Sequence, residues 1–500
     1  MTAMDDSNVT TTPAPVSIGE GMAALAAAAP DRPAITCDDI TVTRSEFEAR
    51  TNRLARAYER LGVVPDSFVT IGLPNGIEMI EAAVATWKAG ATPQPISHRM
   101  PAVERQAIIG LADPSLLVGV DPAEVGGRAA VAAGYEPDAS ISDAPLEPRI
   151  AKSLKAPTSG GSTGRPKLIV SGSPATHFDA IIPSLFSRMT ADGVHLLTGP
   201  LHHNGPFYFG MAALLTGNHV IVMPRFDAEQ SLALIERHRV DWMYAVPTMM
   251  QRIWRLPEDV RTRYDMSSLN AVLHMAAPCP RWLKKAWIDW LGAETILELY
   301  AGTEGQSVTF LDGAEWLAHP GSVGRPLVGE LQIRDADGAV LPAGEIGTVW
   351  MRGPAGAKTY RYVGAEARGD ADGWETLGDI GSLDADGFLY VSDRDSDMIL
   401  VGGSNVYPAE IEAALTEHPS VADACVVGLP DDDLGNVPHA LVSEVDAVTD
   451  DDLMAYLRER LAPYKLPRSI ERVAGPLRDD AGKVRRSALR ADRLPHDQAS

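Results

Sequence analysis

The chain has 500 residues, of which 45% are apolar and 22% charged, and its formal net charge is −23. This is the composition of a soluble globular protein, and the length exceeds what one core usually serves, so two or more domains are expected. The acidic balance argues against a broad nucleic-acid surface and against adsorption to anionic membranes, both of which need clustered Lys and Arg.

The opening stretch MTAMDDSNVTTTPAPVS carries acids and no basic region before an apolar run. It reads as a disordered lead over residues 1–17 rather than a secretory signal. Residues 22–29 form a helical run ended by Pro30, and residues 34–42 read as two short strands around a turn. Apolar spacing predicts a helix over 44–61, a strand over 67–73 and a helix over 77–89. The alternation predicts an α/β body with a largely parallel sheet under covering helices. It resumes over 194–300, with a strand from 194 ending at a loop over 201–205, and strands near 219–223 and 242–245 flanking a helix at 228–238.

The texture changes after about residue 320. Asp337-Gly338, Asp372-Gly373 and Asp386-Gly387 are turn signals between short strand-like runs, so a β-rich subdomain is expected. Beyond Asp393-Arg394 come a strand over 398–403, a helix from Pro408, strands over 421–430 and 439–445, and a helix over 451–461. Residues 18–394 are thus read as the main domain and 395–500 as a small α+β domain. No apolar run is long enough to cross a bilayer. Cys37, Cys279 and Cys425 lie far apart, with neither a disulfide framework nor zinc spacing, which suits the cytoplasm.

The densest glycine cluster runs Ser159-Gly160-Gly161-Ser162-Thr163-Gly164-Arg165-Pro166-Lys167. Small residues let bare N–H groups approach a polyanion, hydroxyls bind its oxygens, and Lys167 adds charge. On these residues alone the segment is either a phosphate loop or a plain flexible one. It also contains G-x-S-x-G, which would make Ser162 a hydrolase nucleophile needing a histidine such as His439. Tyr300-Ala301-Gly302-Thr303-Glu304 joins an aromatic, a hydroxyl and a carboxylate, a set that can stack a base, bind phosphate and hold Mg²⁺. Gly378-Asp379 places an acid in a turn, and Arg394 follows fifteen residues later. Gly482-Lys483-Val484-Arg485-Arg486 is a basic run near the end of an acidic chain.

In this order the segments resemble the adenylate-forming superfamily of acyl-CoA synthetases, adenylation domains and luciferases, over about residues 18–490. Ser159–Lys167 resembles the family's T-S-G-T-T-G-x-P-K, Pro200-Leu201-His202-His203 its P-L-F-H, and Tyr300–Glu304 its Y-G-x-T-E. Gly378-Asp379-Ile380-Gly381 resembles the ribose-binding G-D-x-G, Asp393-Arg394 the start of the hinge, and Gly402-Gly403-Ser404-Asn405-Val406-Tyr407-Pro408-Ala409-Glu410-Ile411-Glu412 the family's G-G-x-N-V-x-P-x-E-I-E. The segments SGGSTGRPKLI, HHNGPF and VPTMMQRIWRLP give the texture of bile-acid and related acyl-CoA ligases.

The resemblance implies two half-reactions: a carboxylate attacks the α-phosphate of ATP, releasing pyrophosphate, and a thiol, usually of CoA, then displaces AMP. Ser159, Ser162, Thr163, Gly164 and Lys167 would cradle phosphates. Thr303 would touch the α-phosphate and Glu304 would hold Mg²⁺. Tyr300 would stack on adenine beside Ala276, Ala277 and Pro278, with Ala301 and Gly302 completing that segment, and Asp379 and Arg394 would bind the ribose. Lys483 would bridge the attacking carboxylate and the α-phosphate from a mobile lid. Rotation of that lid would bring Gly402 and Gly403 to the acceptor tunnel in its place. His203 would sit between acid and nucleotide, with Phe207, Tyr208, Met275 and Gly302 around the acid, and Met211, Met249 and Phe310 as further wall candidates. The expected substrate is a hydrophobic or aromatic acid, with ATP, Mg²⁺ and CoA; no nucleic acid and no membrane insertion is expected, and a homodimer is left open.

Two features depart from the family. Ser396 stands at the hinge where Asp or Lys is usual, and Asp479-Asp480 precedes the lysine, where these acids either raise the Lys483 pKa or point into solvent. These departures keep other acceptors open: a carrier-protein thiol, an amine, water, or nitrite chemistry giving a diazo product.

Overall fold

Ser17 starts the fold. Its hydroxyl accepts the Glu20 N–H at 3.1 Å while the Glu20 carboxylate accepts the Ser17 N–H at 2.8 Å, a capping box that opens helix Ile18–Ala28. The helix therefore begins four residues before the apolar run at 22. Ser17 is buried, and the Val16 carbonyl accepts from His177 N at 2.8 Å, so Val16 and Ser17 belong to the body and not to a lead. The computed structural model describes residues 14–160, 166–354, 357–394, 396–431, 433–479 and 482–494; residues 1–13 lie outside that range.

The predicted alternation is realised closely. Strands Pro33–Cys37 and Ile40–Thr43, helix Arg44–Arg60, strand Phe68–Ile71 and helix Ile77–Lys88 follow in order. Thr43 caps helix Arg44–Arg60 with a second capping box through Glu46. Among the described residues the largest sheet has nine strands. Its centre is parallel and runs through Pro33–Cys37, His219–Val222, Val194–Leu197, Trp242–Ala245, Ala271–His274 and Ile296–Ala301. Parallel strands covered on both faces read as continuous apolar runs, and Ala271, Val272 and Leu273 are accordingly buried. A smaller parallel sheet carries Phe68–Ile71 between Thr92–Pro95 and Leu116–Val118.

The β-rich region after residue 320 is an antiparallel sheet of Glu330–Arg334, Gly347–Arg352, Asp379–Leu383 and Leu389–Arg394. Gly338, Gly373 and Gly387 all have positive φ, which is why Asp-Gly marks these turns. From residue 399 the chain builds a separate sheet, with Gly435–Glu444 between Val421–Asp431 and Ser469–Arg472. Helices Pro408–Glu417 and Asp450–Arg458 cover it, and Ile411, Leu415, Val426, Val442, Leu453 and Leu457 form its own core. Among the described residues no helix is long and apolar enough to cross a membrane.

Candidate active site

Strand pairing places the first two site residues. Asp379 and Arg394 stand directly opposite each other in adjacent antiparallel strands. The Arg394 Nε lies 3.3 Å from Asp379 Oδ1, and Tyr300 donates its hydroxyl to Asp379 Oδ2 at 2.6 Å. Fifteen residues of separation thus become one carboxylate held between a phenol and a guanidinium. Burial first, and then the Asp379 charge, raise the Tyr300 pKa well above the ordinary tyrosine value, so it stays a donor. Tyr300 is the penultimate residue of strand Ile296–Ala301, and the chain then turns over 302–305, where Gly305 N donates to the Gly302 carbonyl at 3.1 Å. Thr303 and Glu304 lie in that turn.

Glu304 is buried and accepts the Tyr362 hydroxyl on Oε1 at 2.5 Å, with Lys167 Nζ 3.7 Å from the same oxygen. Lys167 also stands 3.8 Å from the Tyr362 ring centroid, a cation–π contact. Three strands produce this cluster: Thr158–Gly160, Pro166–Ser171 and Tyr360–Val363. Alternation puts Tyr360 and Tyr362 on one face, where Tyr360 donates to Glu375 at 2.7 Å. A Cβ on Gly302 would stand 2.3 Å from Leu377 Cδ1 and 2.9 Å from Glu304 Oε2. The second carboxylate oxygen is thus left room by a glycine. A buried carboxylate with one oxygen so cradled fits a hard cation such as Mg²⁺. The hydroxyls and amides expected from Ser162, Thr163 and Gly164 lie outside the described residues, and of Ser159 only its strand position, opposite Lys167, is described.

The segment expected beside adenine follows strand Ala271–His274. Ala276 has φ +75°, a left-handed backbone in a residue with a Cβ, which costs about 1 kcal/mol and is tolerated mainly where surroundings enforce it. Ala277 and Pro278 follow in the same loop.

His203 caps helix Asn204–Leu215, and its ring lies 4.3 Å from that of His202. Burial, then His202 and Lys483, push its pKa down to about 2, so it is a neutral imidazole. Asn75 pins the preceding loop: its side chain donates to the Gly199 carbonyl at 2.9 Å and accepts from Leu201 N at 2.8 Å. Of the acid-pocket candidates, Met275 has its Sδ 3.1 Å from where a Cβ on Gly205 would stand, and Tyr244, with its Oη 2.7 Å from the same point, closes on that space with it. Phe207 instead lies in the main core, edge-on to Trp87 at 5.8 Å, and Met211 and Met249 are buried there too. Phe310 packs edge-on to Phe186. Tyr208 donates to the Asp179 carbonyl at 3.1 Å, and Lys155 Nζ sits 3.4 Å from its ring centroid. Burial lowers the Lys155 pKa to about 7.

Lys483 is delivered by a tight turn. Asp479 N donates to the Lys483 carbonyl and Asp479 Oδ1 accepts Lys483 N, both at 2.9 Å. Asp479 therefore organises the turn, while Asp480 lies outside the described residues. Buried Gly482 brings the turn onto the main domain, where a Cβ on it would stand 3.0 Å from Thr248 Oγ1. Lys483 keeps a face to solvent, yet the protein around its ammonium lowers its pKa below the ordinary lysine value. Asp479 and Glu304 oppose that shift and Arg394 adds to it. Of the two readings of the acids before Lys483, Asp479 does act to raise this pKa, but desolvation outweighs it.

Gly402 and Gly403 form the two-residue turn between Ile399–Val401 and Ser404–Val406, with φ of +54° and +86° as a hairpin of this length requires. No atom lies within 4 Å of a Cβ built on Gly403, so in this pose Lys483 faces the site and that turn stands in the open. Ser396 is exposed beside Asp397. His439 is committed to the C-terminal sheet, its Nδ1 2.7 Å from Ser469 Oγ and its Nε2 3.1 Å from Glu471 Oε2, which removes it as a base for Ser162.

Sequence reasoning missed Tyr362, Tyr360, Asn75, Gly205 and Tyr244. The alternation of Tyr360 and Tyr362 was the one available signal; the others act through partners more than a hundred residues away or through a vacancy.

An aromatic–carboxylate–guanidinium set, a buried carboxylate beside Lys167, and a second lysine carried in by a separate small domain define a class of enzyme that activates acids with ATP. Models of the AMP-binding enzyme and of the AMP-binding enzyme C-terminal domain match residues 22–361 and 410–482, and the chain belongs to this family. It is 32% identical to a feruloyl-CoA synthase of an Amycolatopsis species, over 92% of this chain and 96% of that one. Among solved structures it resembles the o-succinylbenzoate CoA synthetase of Bacillus subtilis with its acyl-adenylate intermediate (TM-score 0.80, 28% identity, 94% and 97% of the two chains). That enzyme has also been solved with ATP and a magnesium ion. An amide bond synthetase from Marinactinospora thermotolerans is equally similar in fold (TM-score 0.80, 26% identity, 96% and 100% covered).

Proposed function

We propose that this enzyme is an ATP-dependent acid–CoA ligase acting on a hydrophobic or aromatic carboxylic acid. The observation that carries the reading is the placement of Lys483, on the C-terminal domain, within electrostatic reach of His203, Glu304 and Arg394.

In the first half-reaction a carboxylate oxygen attacks the α-phosphorus in line; the new P–O bond forms as the bond to pyrophosphate breaks, and the electron pair leaves with pyrophosphate. Two anions must meet, so aimed positive charge is the main source of rate. Lys483 bridges them. Lys167 holds phosphate oxygens, Asp379 accepts from the ribose hydroxyls, and Arg394 orients that carboxylate. His203, neutral, bounds the acid without adding charge. Glu304 would hold Mg²⁺, which would supply charge neutralisation for the phosphates. In the second half-reaction the CoA sulfur bonds to the acyl carbon, AMP leaves with the electron pair, and the thiol proton passes to solvent. Residues 395–500 act as the mobile lid, turning about Ser396 to exchange Lys483 for the Gly402-Gly403 turn. The cytoplasm suits this chemistry and the three unbridged cysteines.

Pyrophosphate release across a panel of acids, with and without CoA and with products read by mass spectrometry, tests the proposal. An aromatic or alicyclic acid giving a CoA adduct is expected; no CoA adduct with any acid overturns it. A second reading, transfer to an amine, is favoured by the likeness to an amide bond synthetase and by the altered hinge. It predicts an amide product in the same assay.

A further inference from the structure

Helix Pro247–Trp254 of the main domain carries Thr248 and Gln251, and Arg255 is its C-cap. Spacings of three and four residues put all three on one face. Each meets the lid. Thr248 receives Gly482, Gln251 Nε2 donates to the Ala422 carbonyl at 3.3 Å, and Arg255 Nη2 donates to the Thr416 carbonyl at 3.0 Å.

Both acceptors are carbonyls that regular structure leaves free. Thr416 is the penultimate residue of helix Pro408–Glu417, whose last carbonyls lack intrahelical donors and carry the negative end of the helix dipole. Ala422 is the bulged residue of its strand: Val421 pairs with Glu444 and Asp423 with Ser443, so Ala422 has no partner across the ladder. Next to it Asp423, whose charge acts on Arg255, accepts Arg478 Nε at 3.1 Å. Arg478 in turn donates to the Gly482 carbonyl at 3.4 Å and to Glu412 at 2.9 Å. The points of contact are thus wired, inside the lid, to the turn that presents Lys483.

We propose that this face is a rail that holds the lid in the adenylating pose, with Gln251 and Arg255 as positioning residues. The inference rests on the lid reading above. Its chemistry suits a reversible seat. Arg255 docks on a carbonyl, and its Nη1 is buried with no hydrogen-bond partner among the described residues, so docking carries a desolvation cost that undocking returns. A lid that must leave once per turnover needs a weak seat.

The test separates the half-reactions in the full chain: pyrophosphate release from acid and ATP, and CoA thioester formation from supplied acyl-adenylate. Arg255→Ala is expected to slow the first about ten- to hundredfold, the range for a hydrogen bond to a charged group, and to leave the second unchanged or faster. Arg255→Lys is expected to fall between, and Gln251→Ala to lose about fivefold. Equal loss in both half-reactions, or none in either, overturns the rail. An activity-independent arm measures spin-label separation between Val103 on the main domain and Tyr464 on the lid, both exposed. Arg255→Ala is expected to deplete the docked distance, and an unchanged distribution overturns the rail. A wild-type protein that releases no pyrophosphate with any acid would sink the ligase reading, while the distance measurement still decides the rail.

Discussion

A lysine that must join two anions works only while protonated, and Lys483, though it faces solvent, sits where desolvation by the protein around its ammonium and the Arg394 charge both disfavour its own. Bound anions reverse that balance, so the residue pays its desolvation in the empty cleft and recovers it with substrate present. Lys483→Ala is expected to cut adenylate formation about 10²–10³-fold, the scale of one lost electrostatic contact at a transition state, while thioester formation from supplied acyl-adenylate persists. Equal loss in the two half-reactions would remove Lys483 from this role. Lys155 makes a second residue-level point. Its pKa falls from 10.5 to about 7 through burial. Between those values the unfolded chain binds the extra proton, so stability rises with pH, by up to about 1.4 kcal/mol per unit. Lys155→Met is expected to flatten that rise between pH 7 and 9 and to raise the melting temperature at pH 7, as read by thermal denaturation. An unaltered pH slope would mean that Lys155 is not the group responsible.

At the scale of elements, the site depends on what adjoining strands leave room for. Gly302→Ala would drive a Cβ onto Leu377 Cδ1 and Glu304 Oε2. Leu377 can rotate away, so the fold is expected to survive, but the carboxylate shifts. Adenylation is expected to fall more than tenfold with a raised magnesium requirement, measured as pyrophosphate release against Mg²⁺ concentration. Wild-type magnesium dependence would show that the cradle is unimportant. Such dependencies explain what the chain did and did not disclose. Helix Arg44–Arg60 and strand Trp242–Ala245 were legible because their signal, apolar period and cap, is local. Tyr362 on Glu304 was not, since the contact crosses 58 residues. Phe207 is one of several scattered apolar residues expected at the acid wall, and it packs against Trp87 in the core. The start of helix Ile18–Ala28 is hard to see in the chain because Ser17, the first half of its capping box, closes a polar stretch.

At the scale of the whole molecule the order of motifs carried the architecture, because six short segments in register with one family constrain a chain far more than any one of them. The pose of the lid was not legible, since it is set by contacts between domains. The net charge of −23 acts here too. At low salt the Debye length reaches about 30 Å, so ATP approaching the cleft meets the repulsion of the whole surface; near physiological salt it shortens to about 8 Å, and the local cations dominate. ATP association is therefore expected to quicken as salt rises from about 10 to 150 mM, measured by stopped flow. A monotonic slowing would show that local attraction prevails at every range.

Gln251 and Arg255 grip the C-terminal domain through the carbonyls of Ala422 and Thr416. A carbonyl is the same group whatever side chain it accompanies. The seat therefore recognises a helix end and a bulge rather than a set of residues, and substitutions at 416 and 422 leave its two acceptors intact.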